Sequence, residues 1–188
     1  MKKASITKTA RYNHKMITIF PNPKNPQKGR LYFKGRFYDC ALGRNGVTRN
    51  KKEGDGCTPI GRFQLRVFWR RPDRPAAQWH KKHAANVGNI QPSDGWSDDP
   101  RDPNYNRLIK RPHRFRHEQL WRDDGHYDII IPLGYNDDPP QKGRGSAIFF
   151  HLTSADLPPT EGCVAVTPET MQAIWGFLRP NMWMHIRG

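Results

Sequence analysis

The sequence predicts a mainly β domain with one clear helix near its C-terminus and long loops, on three observations. Residues 61–69 alternate apolar and polar positions, which puts Phe63, Leu65, Val67 and Trp69 on one face of a half-buried strand. Residues 127–133 and 146–151 are continuous apolar runs, the pattern of central strands covered on both faces. Thr167 and Pro168 supply an N-cap and a first-turn proline, and Met171, Ile174, Trp175 and Leu178 then recur at helical spacing.

In chain order, residues 15–20 have strand propensity and stop at residues 21–26, where Pro21, Pro23 and Pro26 lack ladder donors, so a loop is expected. Residues 30–42 read as a hairpin about Lys34-Gly35, closed by Gly43 and Gly46. The 61–69 strand follows. Between 70 and 119 the chain is polar, basic and rich in Pro, Asn, Asp and His, which predicts long surface loops with at most short helices. The two apolar runs then pair with each other. The helix is expected to reach about Leu178, where Pro180 stops it, and residues 182–186 return as a last strand. There are no internal repeats, and 188 residues suit one core, so a single domain over 1–188 is expected.

Charge narrows the partners. The 32 Lys and Arg against 17 Asp and Glu give a formal +15, a field that draws nucleic acid, anionic lipid or peptidoglycan. An aromatic content of 11% supplies the burial that a disordered basic tail lacks. No zinc-knuckle, helix-turn-helix or RNA-binding aromatic signature accompanies the charge, so nucleic-acid binding rests on charge alone. No stretch approaches membrane-spanning length. Met1-Lys2-Lys3 has the charge of a secretory signal, but residues 4–20 hold no apolar run to serve as its hydrophobic segment.

Three cysteines, Cys40, Cys57 and Cys163, are too few and too spread for a disulfide framework or a zinc ribbon. Cys40 and Cys57 read as small core residues; pairing in an oxidising compartment, which leaves Cys163 free, is the alternative. His80 with His83, and His113 with His117, have spacings that suit a metal on a helical face, but no cysteine or carboxylate set accompanies them. No metal or cofactor is expected.

A nucleophilic cysteine needs a base within reach, donors for an oxyanion and a tight local backbone. Residues 151–163 offer all three. His151 ends an apolar run, Thr160-Glu161-Gly162-Cys163 follows Pro158-Pro159, and Gly162 removes the side chain beside the thiol so that its N–H can face a carbonyl. Histidine before cysteine, and close, is unlike papain-like or caspase-like order. Spacing alone leaves two readings evenly placed: a catalytic pair, or an inert core cysteine beside a satisfied histidine.

A strand-ending histidine, a short loop and then Thr160-x-Gly162-Cys163 before an apolar residue resembles the signature of L,D-transpeptidases with a YkuD catalytic domain. Upstream, Thr58-Pro59-x-Gly61-x-Phe63 is similar to that family's turn into a strand, and residues 95–107, 120–122 and 127–128 resemble a proteobacterial branch. The resemblance covers about residues 15–178. It implies a β-sandwich-like fold, a periplasmic location, a monomer, and peptidoglycan stem peptides as partners. It also implies that Cys163 attacks the carbonyl at the diaminopimelate of a tetrapeptide stem, releases D-alanine and passes the acyl group to an amine. His151 is then base and acid, Gly162 supplies an oxyanion N–H, the Leu152 carbonyl orients the imidazole, and an imidazolium would lower the thiol pKa.

Three departures stand out: Glu161 where most members have histidine, Ala165 where they have Asn or Arg, and a shorter interval from His151 to Cys163. Glu161 would disfavour thiolate unless turned away or paired with a cation such as Arg144. Arg107, Arg122 and Arg144 are candidates for stem carboxylates, and Trp96, Trp121 and Tyr127 for groove walls; Arg122 and Tyr127 rank first because they flank the strand beside His151. The rivals to an enzyme are a catalytically silent wall-binding module of the same fold and a basic nucleic-acid-binding protein.

Overall fold

In the computed structural model, which describes residues 16–80 and 87–188, the N-terminal part is a meander of hairpins. β1 (Met16–Asn22) turns at Pro23-Lys24 into β2 (Asn25–Phe33), and Lys34-Gly35 turns β2 into β3 (Arg36–Ala41). Lys34 and Gly35 have φ of 49° and 82°, the paired positive values that a twist-matched two-residue turn requires. The loop expected at 21–26 is corrected to a tight turn. Pro21 pairs with Gly29, and the register shifts between Pro21 and Asn22, an irregularity at which a missing donor is tolerated. Lys15, the expected start of the first strand, lies outside the described residues.

β4 (Val47–Thr48) and β5 (Thr58–Pro59) form a short parallel pair, followed by β6 (Gly61–Gln64) and β7 (Phe68–Arg70). The strand expected across 61–69 is thus two strands, and its alternation breaks: Leu65 and Phe68 are buried while Val67 is 49% exposed. The cause is a change of partner. β6 pairs with the last strand, β15 (Trp183–Ile186), whereas β7 pairs with β12 (Ile129–Pro132). The residues between them bond both ways. Leu65 N–H donates to Met182 O and Leu65 O accepts from Asn181 N–H, while Arg66 N–H donates to Pro132 O and Gln64 O accepts from Gly134 N–H.

With β8 (Val87–Asn89), β13 (Phe149–Leu152) and β14 (Val164–Val166), ten strands make one sheet ordered β6-β15-β1-β2-β3-β14-β13-β12-β7-β8. It curls until β6, at one edge, runs on through Leu65 to bond beside β12 near the other, and the β-sandwich-like expectation takes the form of two halves of one sheet facing a common core. Residues 70–119 are more ordered than expected. A 3₁₀ turn spans Pro75–His80, and β9 (Asp94–Ser97), β10 (Leu108–Lys110) and β11 (His117–Gln119) form a separate sheet ordered β10-β9-β11. Only Trp96, Leu108 and Ile109 are apolar in those three strands, too few to show a period.

The two apolar runs pair as expected, with Ile130 opposite His151. Their two faces enter different cores. Ile129, Ile131, Phe150 and Leu152 join the main core with Met171, Ile174 and Trp175 of α1 (Pro168–Trp175), whereas Ile130, Phe149, Tyr127, Leu120 and Cys163 pack with Trp96 and Trp121. Thr167 caps α1, its Oγ1 accepting from Thr170 N–H at 3.3 Å. The helix ends at Trp175, capped by Gly176, earlier than Pro180 implied.

Candidate active site

β13 and β14 run parallel, with Phe150 opposite Val164 and His151 opposite Ala165, so Cys163 comes level with Phe149. Phe149 N–H donates to the Cys163 Sγ at 3.3 Å, and the thiol donates to Ala147 O at 3.2 Å. Phe149 and His151 share a face by the period of two. His151 and Cys163 are therefore diagonal neighbours on that face, and both line one cavity.

The loop between the strands is braced by hydroxyls. Cys163 O accepts from Thr160 Oγ1 at 2.8 Å and from Thr58 Oγ1 at 3.3 Å, and Thr58 Oγ1 accepts from Gly43 N–H at 2.8 Å. The upstream Thr-Pro turn thereby holds the peptide of Cys163. Gly162 has φ of 135°, and a Cβ there would meet Cys57 O at 2.7 Å. Its N–H, expected to face an oxyanion, donates instead to Thr160 Oγ1 at 3.2 Å.

Burial controls the protons. It pushes the Cys163 thiol up to about 12, against the Phe149 N–H and with the help of the Glu118 charge. It lowers His151 to about 4, against the pull of the Leu152 carbonyl. Burial thus disfavours both the thiolate and the imidazolium, against the charged pair that the resemblance implies. His151 Nδ1 lies 2.7 Å from Leu152 O. A carbonyl only accepts, so Nδ1 carries the hydrogen and Nε2 the lone pair. The Tyr127 ring stands edge-on to His151 at 5.2 Å.

His151 and Cys163 open on a cavity of about 410 Å³, which Tyr127, Arg122 and Glu161 also line. Arg122 is engaged there, bonded to Asp124 and to Glu118 (3.2 Å), with its guanidinium 4.9 Å from the Tyr127 ring centre. Glu161 turns outward, 75% exposed, and pairs with Arg44 rather than Arg144. The carboxylate that acts on the thiol is Glu118.

Four expected residues, Trp96, Arg107, Trp121 and Arg144, are not among those lining this cavity. Trp96 packs edge-on against Phe149 at 5.2 Å, with its indole N–H bonded to Asn106 Oδ1 at 2.9 Å, and lines a neighbouring groove with the exposed Arg107. Arg144 is exposed, its carbonyl accepting from the Tyr135 hydroxyl at 2.6 Å. Trp121 lies under the Arg71 guanidinium at 3.6 Å. Cys40 and Cys57 are free thiols. His113 bonds Asp102 at 2.6 Å and His117 the Phe115 carbonyl at 2.8 Å; His83 lies outside the described residues, among which no group of three ligands could hold a metal.

Sequence reasoning missed Lys51, Glu53 and Glu118 in the cavity wall. Lys51 is buried and paired with Asp55 at 2.5 Å, and Glu53 accepts from Tyr105 and Ser146 hydroxyls. Glu118 sits in the 70–119 stretch whose polarity read as surface loops, and Lys51 and Glu53 carried no assigned role. One signal for Glu118 was present: it is the sole acid between residues 111 and 122, where Arg and His crowd the chain.

A family model of the L,D-transpeptidase catalytic domain (YkuD) matches residues 13–186. The chain belongs to that family. Among solved structures it is similar to Bd1075 of Bdellovibrio bacteriovorus, at 13% identity and a TM-score of 0.42, covering 90% of this chain and 47% of that one. It is also similar to L,D-transpeptidase 1 of Mycobacterium tuberculosis (14%, TM-score 0.37, 92% and 59%). L,D-transpeptidase 3 of the same organism, with a faropenem-derived adduct, is a further likeness (11%, TM-score 0.37, 92% and 60%). The chain thus spans about half to three-fifths of their length. No curated protein matches it. Within this L,D-transpeptidase domain no described helix is long and apolar enough to cross a membrane.

Proposed function

We propose that this domain is a cysteine-dependent peptidoglycan L,D-transpeptidase acting in the periplasm as a monomer. The observation that carries the proposal is the shared face of β13 and β14, where a thiol and an imidazole held at Nδ1 open on one cavity. As Sγ attacks the carbonyl carbon at diaminopimelate, the thiol proton moves to Nε2, so the nucleophile is made only when substrate is present. Collapse of the tetrahedral adduct breaks the peptide bond, and His151 hands its proton to the departing D-alanine amine. A thioester remains on Cys163, and an amine of another stem or a D-amino acid takes the acyl group. Lys51, Arg116 and Arg122 along the wall suit the carboxylates of a stem peptide.

The test is incubation with disaccharide-tetrapeptides, followed by mass spectrometry for D-alanine loss, cross-linked dimers and an acyl adduct on Cys163. Cys163→Ala and His151→Ala should each remove product while the fold persists. A neutral, buried thiol favours the second reading, a silent wall-binding module. That reading wins if neither stem peptide nor a carbapenem acylates Cys163.

A further inference from the structure

Glu118 stands on β11, in the wall that the small sheet raises over the cavity shared by Cys163 and His151. Its Oε1 accepts from the Tyr127 hydroxyl at 3.1 Å and from Arg122 Nη1 at 3.2 Å. Oε2 has no bond to the described residues and remains for a ligand. The carboxylate is 29% exposed, open enough to be reached and dry enough to be altered. Burial raises its pKa, Arg122 and the Tyr127 hydroxyl lower it, Asp98 raises it, and burial prevails.

Resting on the acyl-transfer reading, we infer that Glu118 binds the ammonium of the acyl acceptor and removes the proton that makes it a nucleophile. Proton accounting leaves a place for such a group. In the first half-reaction His151 takes one proton from the thiol and returns it to the leaving amine, ending neutral. The acceptor arrives as an ammonium ion, since amino groups keep their proton near neutrality. It must lose one proton before attack and a second after it, and His151 has one vacant nitrogen. Glu118 takes the first proton, becoming a carboxylic acid. The freed lone pair forms the C–N bond at the thioester carbonyl, and the C–S bond breaks with its electrons on Sγ. The second N–H proton passes through His151 Nε2 to Sγ, restoring the thiol, and Glu118 releases its proton to solvent.

Of the other acids lining the cavity, Asp98 is held by Arg116 at 3.0 Å, Glu161 is turned out to Arg44, and Glu53 accepts two hydroxyl bonds at one oxygen. A carboxylate whose pKa is raised is a better base than an ordinary one, and a half-buried one binds ammonium more strongly than it would in water.

The test separates the half-reactions. Acyl-enzyme is formed with a tetrapeptide donor, then challenged with a D-amino acid or with hydroxylamine, which is already neutral at pH 7. In Glu118→Gln, aminolysis by the D-amino acid should fall roughly 10²-fold at pH 7 relative to acylation. The deficit should shrink as pH rises through the acceptor's own pKa and be absent with hydroxylamine. An equal loss with both acceptors, or no loss with either, overturns the role of Glu118 and leaves the acyl-transfer reading standing. Failure of the parent domain to acylate Cys163 overturns that reading, and this inference with it.

Discussion

A neutral thiol beside a neutral imidazole sets the pH behaviour residue by residue. His151, lowered to about 4, stays an unprotonated base well below the range where a free imidazole is lost. The acid limb of kcat/KM should therefore lie near pH 4, and a limb near 6.5 would show that His151 is not the base. Stability follows the same shift. The unfolded chain binds a proton below about pH 6.5 that folded His151 refuses, so stability is full above that pH. It falls by about 3 kcal/mol as pH drops toward 4, and urea titrations across that window should show a steeper slope in the parent than in His151→Phe. Gly162→Ala should leave little activity, because the backbone at φ 135° cannot keep its path past Cys57 O. Cys163 and His151 were legible because a thiol and an imidazole are scarce residues near a glycine. The fate of the Gly162 N–H was not, since the acceptor it meets, Thr160 Oγ1, depends on a rotamer.

Between residue and domain, the brace from β5 to Cys163 carries its own consequence. Thr58→Val keeps the shape but strips the hydroxyl that joins Gly43 N–H to Cys163 O. A buried N–H left without its acceptor should cost about 1–3 kcal/mol by denaturant unfolding, with slower acylation of Cys163. Unchanged stability would mean that the motif braces nothing. The sequence announced Thr58-Pro59 as a motif without saying what it touched, because its partner lies far along the chain. β12 and β13 were legible as buried strands since both faces are apolar, and α1 since its cap and period agree. The small sheet was not legible: strands such as His117-Glu118-Gln119 owe their order to pairing with β9, and pairing leaves no mark on composition.

For the whole molecule, the decisive residue is one that looked ordinary. Leu65 was legible as a core position, but the closure it makes between β15 and β12 was not, because long-range pairing is invisible to a local period. Leu65→Ala should destabilise by about 2–5 kcal/mol, loosening both ends of the sheet together. A two-state transition with an unchanged denaturant slope should persist; two separate transitions would show that the sheet's halves fold independently. The placement of β9, β10 and β11 has a different kind of consequence. The thiol and imidazole rise from the large sheet, while Glu118 and Arg116 hang from a second one folded from its own stretch of chain. Selection can therefore rewrite the roof while the floor stays as it is, so chains that keep Cys163 and His151 are free to diverge in the molecules they admit above them.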